Sequence, residues 1–190
     1  MRLFTAIEIP EPMRSHLALI RAPLPDARWV DKDNYHLTLT FVGEVDGHQR
    51  RAFADALAMI EAEPFEITID GLGVFGGDRP RTLYAAIRPE PRLEMLQRDH
   101  DQAARRAGLK PEARKFTPHV TLARLSGMSA PMMADVLGAQ GQLVLPPFPV
   151  TRAVLMSSKP GGGGPYAVEE AFDLGGIDYS EEAEAWDESD

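Results

Sequence analysis

An α+β fold built from two related lobes, each an antiparallel sheet with helices outside and a cleft between the lobes, follows from three observations. First, Leu3-Phe4-Thr5-Ala6-Ile7 with Pro10-Glu11-Pro12 is matched at an offset of 80 by Leu83-Tyr84-Ala85-Ala86-Ile87 with Pro89-Glu90-Pro91. Second, His36-Leu37-Thr38-Leu39 is matched 83 residues later by His119-Val120-Thr121-Leu122. Third, alternating apolar runs and amphipathic stretches succeed one another in the same order in both halves, the signature of an internal duplication. The domain expected is a single unit over residues 1–177, with approximate repeats 1–80 and 81–177, followed by an acidic, disordered tail at 178–190.

The elements follow in order. Leu3 to Ile9 reads as a core strand, and Glu11 to Ile20 as a helix with Pro12 in its first turn. Trp29 to Val30 and Tyr35 to Val42 read as extended. Asp46 to Glu61 carries apolar residues at Phe53, Leu57 and Ile60, which makes it a helix capped by Asp46. Phe65 to Leu72 alternates as a strand, VFGGDRPR reads as a turn-rich loop, and Thr82 to Ile87 as the next strand. Pro91 to Ala107 is an amphipathic helix stopped by Gly108. Phe116 to Arg124 is extended, because Pro118 disfavours helix at Thr117. A short helix is expected at Met132 to Leu137, then strands at Val150 to Ser157 and Ala167 to Leu174 around KPGGGGP, which reads as a flexible hairpin loop, the alternative being a mobile flap that brings Lys159 toward the cleft.

Composition narrows the chemistry. The 190 residues are 44% apolar, enough for one well-cored domain, and contain no cysteine, so thiolate nucleophiles, disulfides and Cys-based metal sites are excluded. This suits a cytoplasmic protein. The first apolar run is broken by Glu8 and Pro10, too short for a membrane span or a signal sequence, so no membrane partner is expected. Net charge is −9, but the last 13 residues hold seven acids and no base, which leaves the body near about −2. A protein that coats duplex phosphates needs a basic face, whereas one that grips a single phosphate at a chain end does not.

The paired motif carries the chemistry. On a strand, residues i and i+2 share a face, so each His stands beside its Thr while the intervening apolar residues point to the core. A pseudo-twofold brings His36 and His119 to one cleft. Two imidazoles titrating near neutrality, with two uncharged hydroxyl donors, suit a phosphodiester cleavage in which one imidazole takes a proton from water and the other gives one to the leaving oxygen. A metal is not expected, since two such histidines lack third and fourth ligands. His16, His48 and His100 sit among polar neighbours and are expected to face solvent.

YHLTLTF and TPHVTLAR, with the RLFTAIEIP opening and the Gly-Pro-Tyr stretch, resemble the 2H phosphoesterases with their paired HxTx motifs. Within these, the chain is most similar to the bacterial and archaeal RNA 2′,3′-cyclic phosphodiesterases, also called 2′-5′ RNA ligases. The resemblance implies a bilobal fold, no cofactor or metal, and hydrolysis of an RNA terminal 2′,3′-cyclic phosphate to a 2′-phosphate. By position it makes His36 the proton donor to the 3′ oxygen, His119 the acceptor that activates water, and Thr38 and Thr121 phosphate binders. Arg124 matches a basic position of the family, although an ideal strand turns it away from His119; either a bend or the strand end re-aims it toward substrate, or it is a solvated strand-end arginine. Phe41 and Trp29 are candidates for stacking on a terminal base, with core packing as the competing role. The alternatives are 2′-5′ end joining by the reverse reaction, a cyclic phosphodiesterase of a small nucleotide, and a non-catalytic binder of RNA ends. The partner expected is an RNA 3′ end or nucleotide bearing a cyclic phosphate, met by a monomer.

Overall fold

The computed structural model describes residues 1–21, 24, 26–140, 142–159 and 164–175, so the acidic tail and most of the glycine run lie outside the described residues. The strands are β1 (Arg2–Glu8), β2 (Arg28–Trp29), β3 (His36–Glu44), β4 (Phe65–Ile67), β5 (Ile69–Phe75), β6 (Thr82–Ile87), β7 (His119–Arg124), β8 (Phe148–Val150), β9 (Arg152–Ser158) and β10 (Ala167–Asp173). The helices are α1 (Glu11–Ala18), α2 (Gly47–Ala58), α3 (Pro91–Arg106) and α4 (Ala130–Ala139). Their ends follow local chemistry. Asp46 and Gln49 form a reciprocal capping box at the start of α2, and Pro91 opens α3 behind a Glu90 side chain that accepts from the Arg92 amide. Gly108, at φ +75°, turns the chain after α3.

One antiparallel sheet runs in the order β10-β9-β1-β3-β7-β6-β5, with β2 also paired to β7. β3 and β7 meet at its centre through the pair Leu37 and Val120. About that point β3 answers β7, β1 answers β6, and β9 answers β5. The lobes therefore do not follow the sequence repeats. β5, from the first half of the chain, completes the second lobe, while β9 and β10 return to complete the first. The single strand expected over Phe65 to Leu72 is two strands: β4 pairs with β8 in a separate two-stranded sheet, and β5 joins the main sheet and continues through Phe75 into the stretch expected to be loop. Gly71 at φ +95° marks the register shift in β5, a backbone setting that only glycine adopts freely. Residues 116–118 lie outside β7, which starts at His119.

Helices cover one face of the sheet. Leu17 of α1 and Leu93 and Leu96 of α3 pack with Leu37, Leu83, Val120 and Leu122, and Phe53 and Leu57 of α2 with Leu3, Ala103 and Leu155. The other face carries the smaller cluster of Phe4, Ala6, Val154 and Met156, with Phe41 and Tyr166 packed against it.

His16 and His48 face solvent, but His100 does not: it is 2% exposed. Its place in the stripe Leu93, Leu96, Ala103 and Ala104 turns it inward, a helical spacing that outweighs the polarity of its sequence neighbours. There its Nδ1 lies 2.9 Å from Thr5 Oγ1, and Thr40 donates to Asp101 at 2.7 Å close by. Burial pushes His100 down to about 3, so it stays neutral. Because its folded value lies below the unfolded one of about 6.5, the unfolded chain takes up the proton first, and stability falls as pH drops from there toward 3. The urea midpoint is therefore expected to be lower at pH 5 than at pH 7.5, and His100→Gln to flatten that difference; an equal slope in both proteins would rule His100 out as its source.

Candidate active site

His36 and His119 each open a strand, and each ring folds back on the carbonyl two residues earlier. His36 Nδ1 donates to Asn34 O at 2.8 Å, and His119 Nδ1 to Thr117 O at 2.6 Å. A carbonyl only accepts, so the proton sits on Nδ1 of each neutral ring and Nε2 is left for chemistry. Both rings are half-buried between buried neighbours: Leu37, Val120 and Leu122 are 0% exposed. Burial lowers both pKa values. For His36 the contact with Asn34 opposes that shift, and the charges of His119 and Arg124 add to it. For His119 the carbonyl of Thr117 opposes it, and Arg114 and Arg124 add to it.

The register explains why the two motifs share one face. Leu37 lies opposite Val120 in an antiparallel pair, so one residue to either side places His36 across from Thr121 and Thr38 across from His119. Among the described residues, neither threonine hydroxyl makes a hydrogen bond within the protein. Each motif is then followed by one extra residue. Thr38 pairs with Ala6 and Thr40 with Thr5, leaving Leu39 unmatched; Thr121 pairs with Tyr84 and Ala123 with Leu83, leaving Leu122 unmatched. Each bulge shifts the alternation by one. Leu122 and Ala123 are therefore both buried, and Arg124 returns to the face of His119 and Thr121, where Nη1 donates to Thr82 Oγ1 at 3.0 Å. The bulge is what turns Arg124 to this face.

The residue equivalent to Arg124 in the first motif is Phe41. The bulge at Leu39 turns it to the same open face, opposite Phe4, with the Arg2 guanidinium carbon 5.2 Å from its ring centre. Trp29 stands apart from this group. It pairs with buried Ala123 and packs against the main core, the competing role named for it. Lys159 is exposed just after β9.

The sequence reading names none of four further aromatic residues as part of the site, although Tyr166 lies in the Gly-Pro-Tyr stretch. Phe4 and Tyr166 lie 5.0 and 4.9 Å from the His36 ring, and Phe75 and Tyr84 lie 4.8 and 5.3 Å from the His119 ring. Phe4 and Tyr84 are the second residues of the repeated strand, so the offset of 80 held the signal for that pair. Phe75 and Tyr166 come from the strand and strand approach that each lobe borrows from the other repeat, where the offset gives no hint. Tyr84 covers Gly73, where an added Cβ would collide with its ring. Asn34 belongs to the same set: its side-chain oxygen accepts from the Tyr166 amide at 3.3 Å while its main chain holds His36.

Two imidazoles held through Nδ1, each beside a threonine hydroxyl on the open face of a sheet with a pseudo-twofold, form the candidate site. A model of the LigT-like phosphoesterases matches the chain twice, over residues 7–84 and 87–166, once for each half. The chain belongs to that family. It is 30% identical to the RNA 2′,3′-cyclic phosphodiesterase of Methanothermobacter thermautotrophicus over 183 residues, 92% of this chain and 99% of that one. The match to the protein of that name from Geobacillus stearothermophilus, 34% identical, spans 60% of this chain and 37% of that one. The crystal structure of E. coli LigT complexed with 3′-AMP superposes with a TM-score of 0.72 at 28% identity, covering 92% of this chain and 98% of that one. Among the described residues no helix is long and apolar enough to cross a membrane, and no three His, Asp or Glu side chains gather as metal ligands do.

Proposed function

We propose that this phosphoesterase hydrolyses the 2′,3′-cyclic phosphate at an RNA 3′ end to a 2′-phosphate, with His119 as base and His36 as acid. His119 Nε2 takes a proton from water as its oxygen attacks phosphorus. The P–O3′ bond breaks, and His36 Nε2–H protonates the departing O3′, leaving a free 3′-hydroxyl and a 2′-phosphate. Thr38 and Thr121 hydroxyls donate to the non-bridging oxygens, and Arg124 offsets the charge that gathers on them. The observation that carries this reading is the matched locking of both rings through Nδ1. The nucleotide names of the relatives support the substrate class. All of the proposed machinery comes from one chain, which supports action as a monomer. No step uses a metal.

The test is turnover of a dinucleotide ending in a 2′,3′-cyclic phosphate, in excess chelator, with the product identified as the 2′-phosphate. A 3′-phosphate product, or loss of turnover on chelation, would overturn the reading. The pH dependence is also expected to be informative. The kcat/KM profile reports the free enzyme, where burial lowers both imidazoles, so its bell should centre on the acid side of about 6.5. Bound phosphate favours the charged imidazole, so the kcat profile should lie at higher pH. Coincident profiles centred above pH 7 would contradict the assignment.

A further inference from the structure

Arg28 opens β2, the two-residue strand that takes over the edge of β7 where β3 leaves it, and it lies directly opposite Arg124. Cross-strand partners project to the same face of a sheet. The next pair, Trp29 with Ala123, turns inward to the core, so Arg28 and Arg124 share the open face. That is the face of His119 and Thr121, because the bulge at Leu122 has brought Arg124 round to it. Both side chains are exposed, and among the described residues no carboxylate lies within salt-bridge distance of either. Two like charges directly opposite one another destabilise a sheet. The cost is offset when an anion sits between or beside them.

We infer that Arg28 is the binding site for the phosphodiester one nucleotide upstream of the RNA terminus. The inference rests on the reading of the site given above, in which Arg124 faces the terminal phosphate. Arg28 then lies one strand farther along the same face, where a strand running from the histidines past Arg124 would bring its next phosphate. The opposite lobe has Phe41 where this lobe has Arg124, so the pseudo-twofold is broken at that position: Phe41, with Arg2 against its ring, suits a base, and the Arg28-Arg124 side suits the backbone. One guanidinium meets the needs of one upstream phosphate, consistent with a body that is nearly neutral overall.

The test compares two substrates that both end in a 2′,3′-cyclic phosphate, a mononucleotide with no upstream phosphate and a tetranucleotide. Arg28→Gln is expected to lower the ratio of tetranucleotide to mononucleotide kcat/KM by about tenfold, through KM, as loss of a charge-assisted hydrogen bond implies. The salt dependence of log kcat/KM for the tetranucleotide should become shallower by about 0.7, the contribution of one contact to a single strand. Arg51→Gln, at an exposed position of α2, controls for net charge and should leave the ratio alone. An unchanged ratio for Arg28→Gln, or an equal fall in the ratio for Arg51→Gln, overturns the inference. Should the wild-type protein turn over neither substrate, the hydrolase reading fails; the affinities of the mono- and tetranucleotide 2′-phosphates, compared in the same two variants, then decide the Arg28 site by the same ratio.

Discussion

His36→Ala and His119→Ala each lower kcat by about 10²–10⁴-fold on a dinucleotide cyclic phosphate, the usual worth of one positioned proton-transfer group. The double variant is expected to lose far less than the product of the two, because acid and base act in one concerted event and either loss disables it. The roles separate in the pH profile. Rate rises with pH as the base becomes neutral and falls as the acid loses its proton. His119→Ala should therefore lack the acidic limb and keep the basic one, whereas His36→Ala should lack the basic limb. The opposite pattern would exchange the two roles while leaving the site intact. Wild-type rates in both variants would remove the site altogether. Neither substitution should disturb the fold much, since both rings are half-buried and their Nδ1 contacts are to local backbone.

Leu37→Ala is expected to destabilise the protein by about 2–5 kcal/mol, a large share of the roughly 5–15 kcal/mol typical of a domain. Leu37 is fully buried, pairs with Ile7 of β1 on one side and Val120 of β7 on the other, and packs in the main core. It is the point where the two halves of the sheet are joined. The cavity left by its side chain cannot collapse without moving β3 against β7, and that motion also moves His36 relative to His119. Urea unfolding should show a lower midpoint with an unchanged slope, accompanied by a fall in kcat larger than in KM. A loss under about 1 kcal/mol would mean that the lobes hold together through other contacts.

The asymmetry at the fifth residue after each histidine gives the symmetric scaffold a direction. Phe41 and Arg124 are brought to the open face by equivalent bulges, at Leu39 and Leu122. The duplicated frame thus presents two equivalent imidazole-hydroxyl pairs, followed on one side by an aromatic ring and on the other by a guanidinium.

The sequence by itself determined the α+β class, the duplication, most helices and strands, and the facing of the two His-Thr pairs. These depend on periodicity and on repetition, both of which are local or countable along the chain. Only the tertiary structure decided that the lobes exchange strands, that Phe65 to Leu72 divides between two sheets, and that His100 is buried. The spacing of His100 in its helix held that last signal, and neighbouring polarity obscured it. Only the tertiary structure, too, turned Arg124 to the face of His119 and placed two aromatic rings beside each imidazole. The physical reason is common to all of these: pairing partners and bulges are chosen by what the whole sheet buries, and an alternating pattern cannot say which neighbour a strand will find or where one extra residue will reverse its faces.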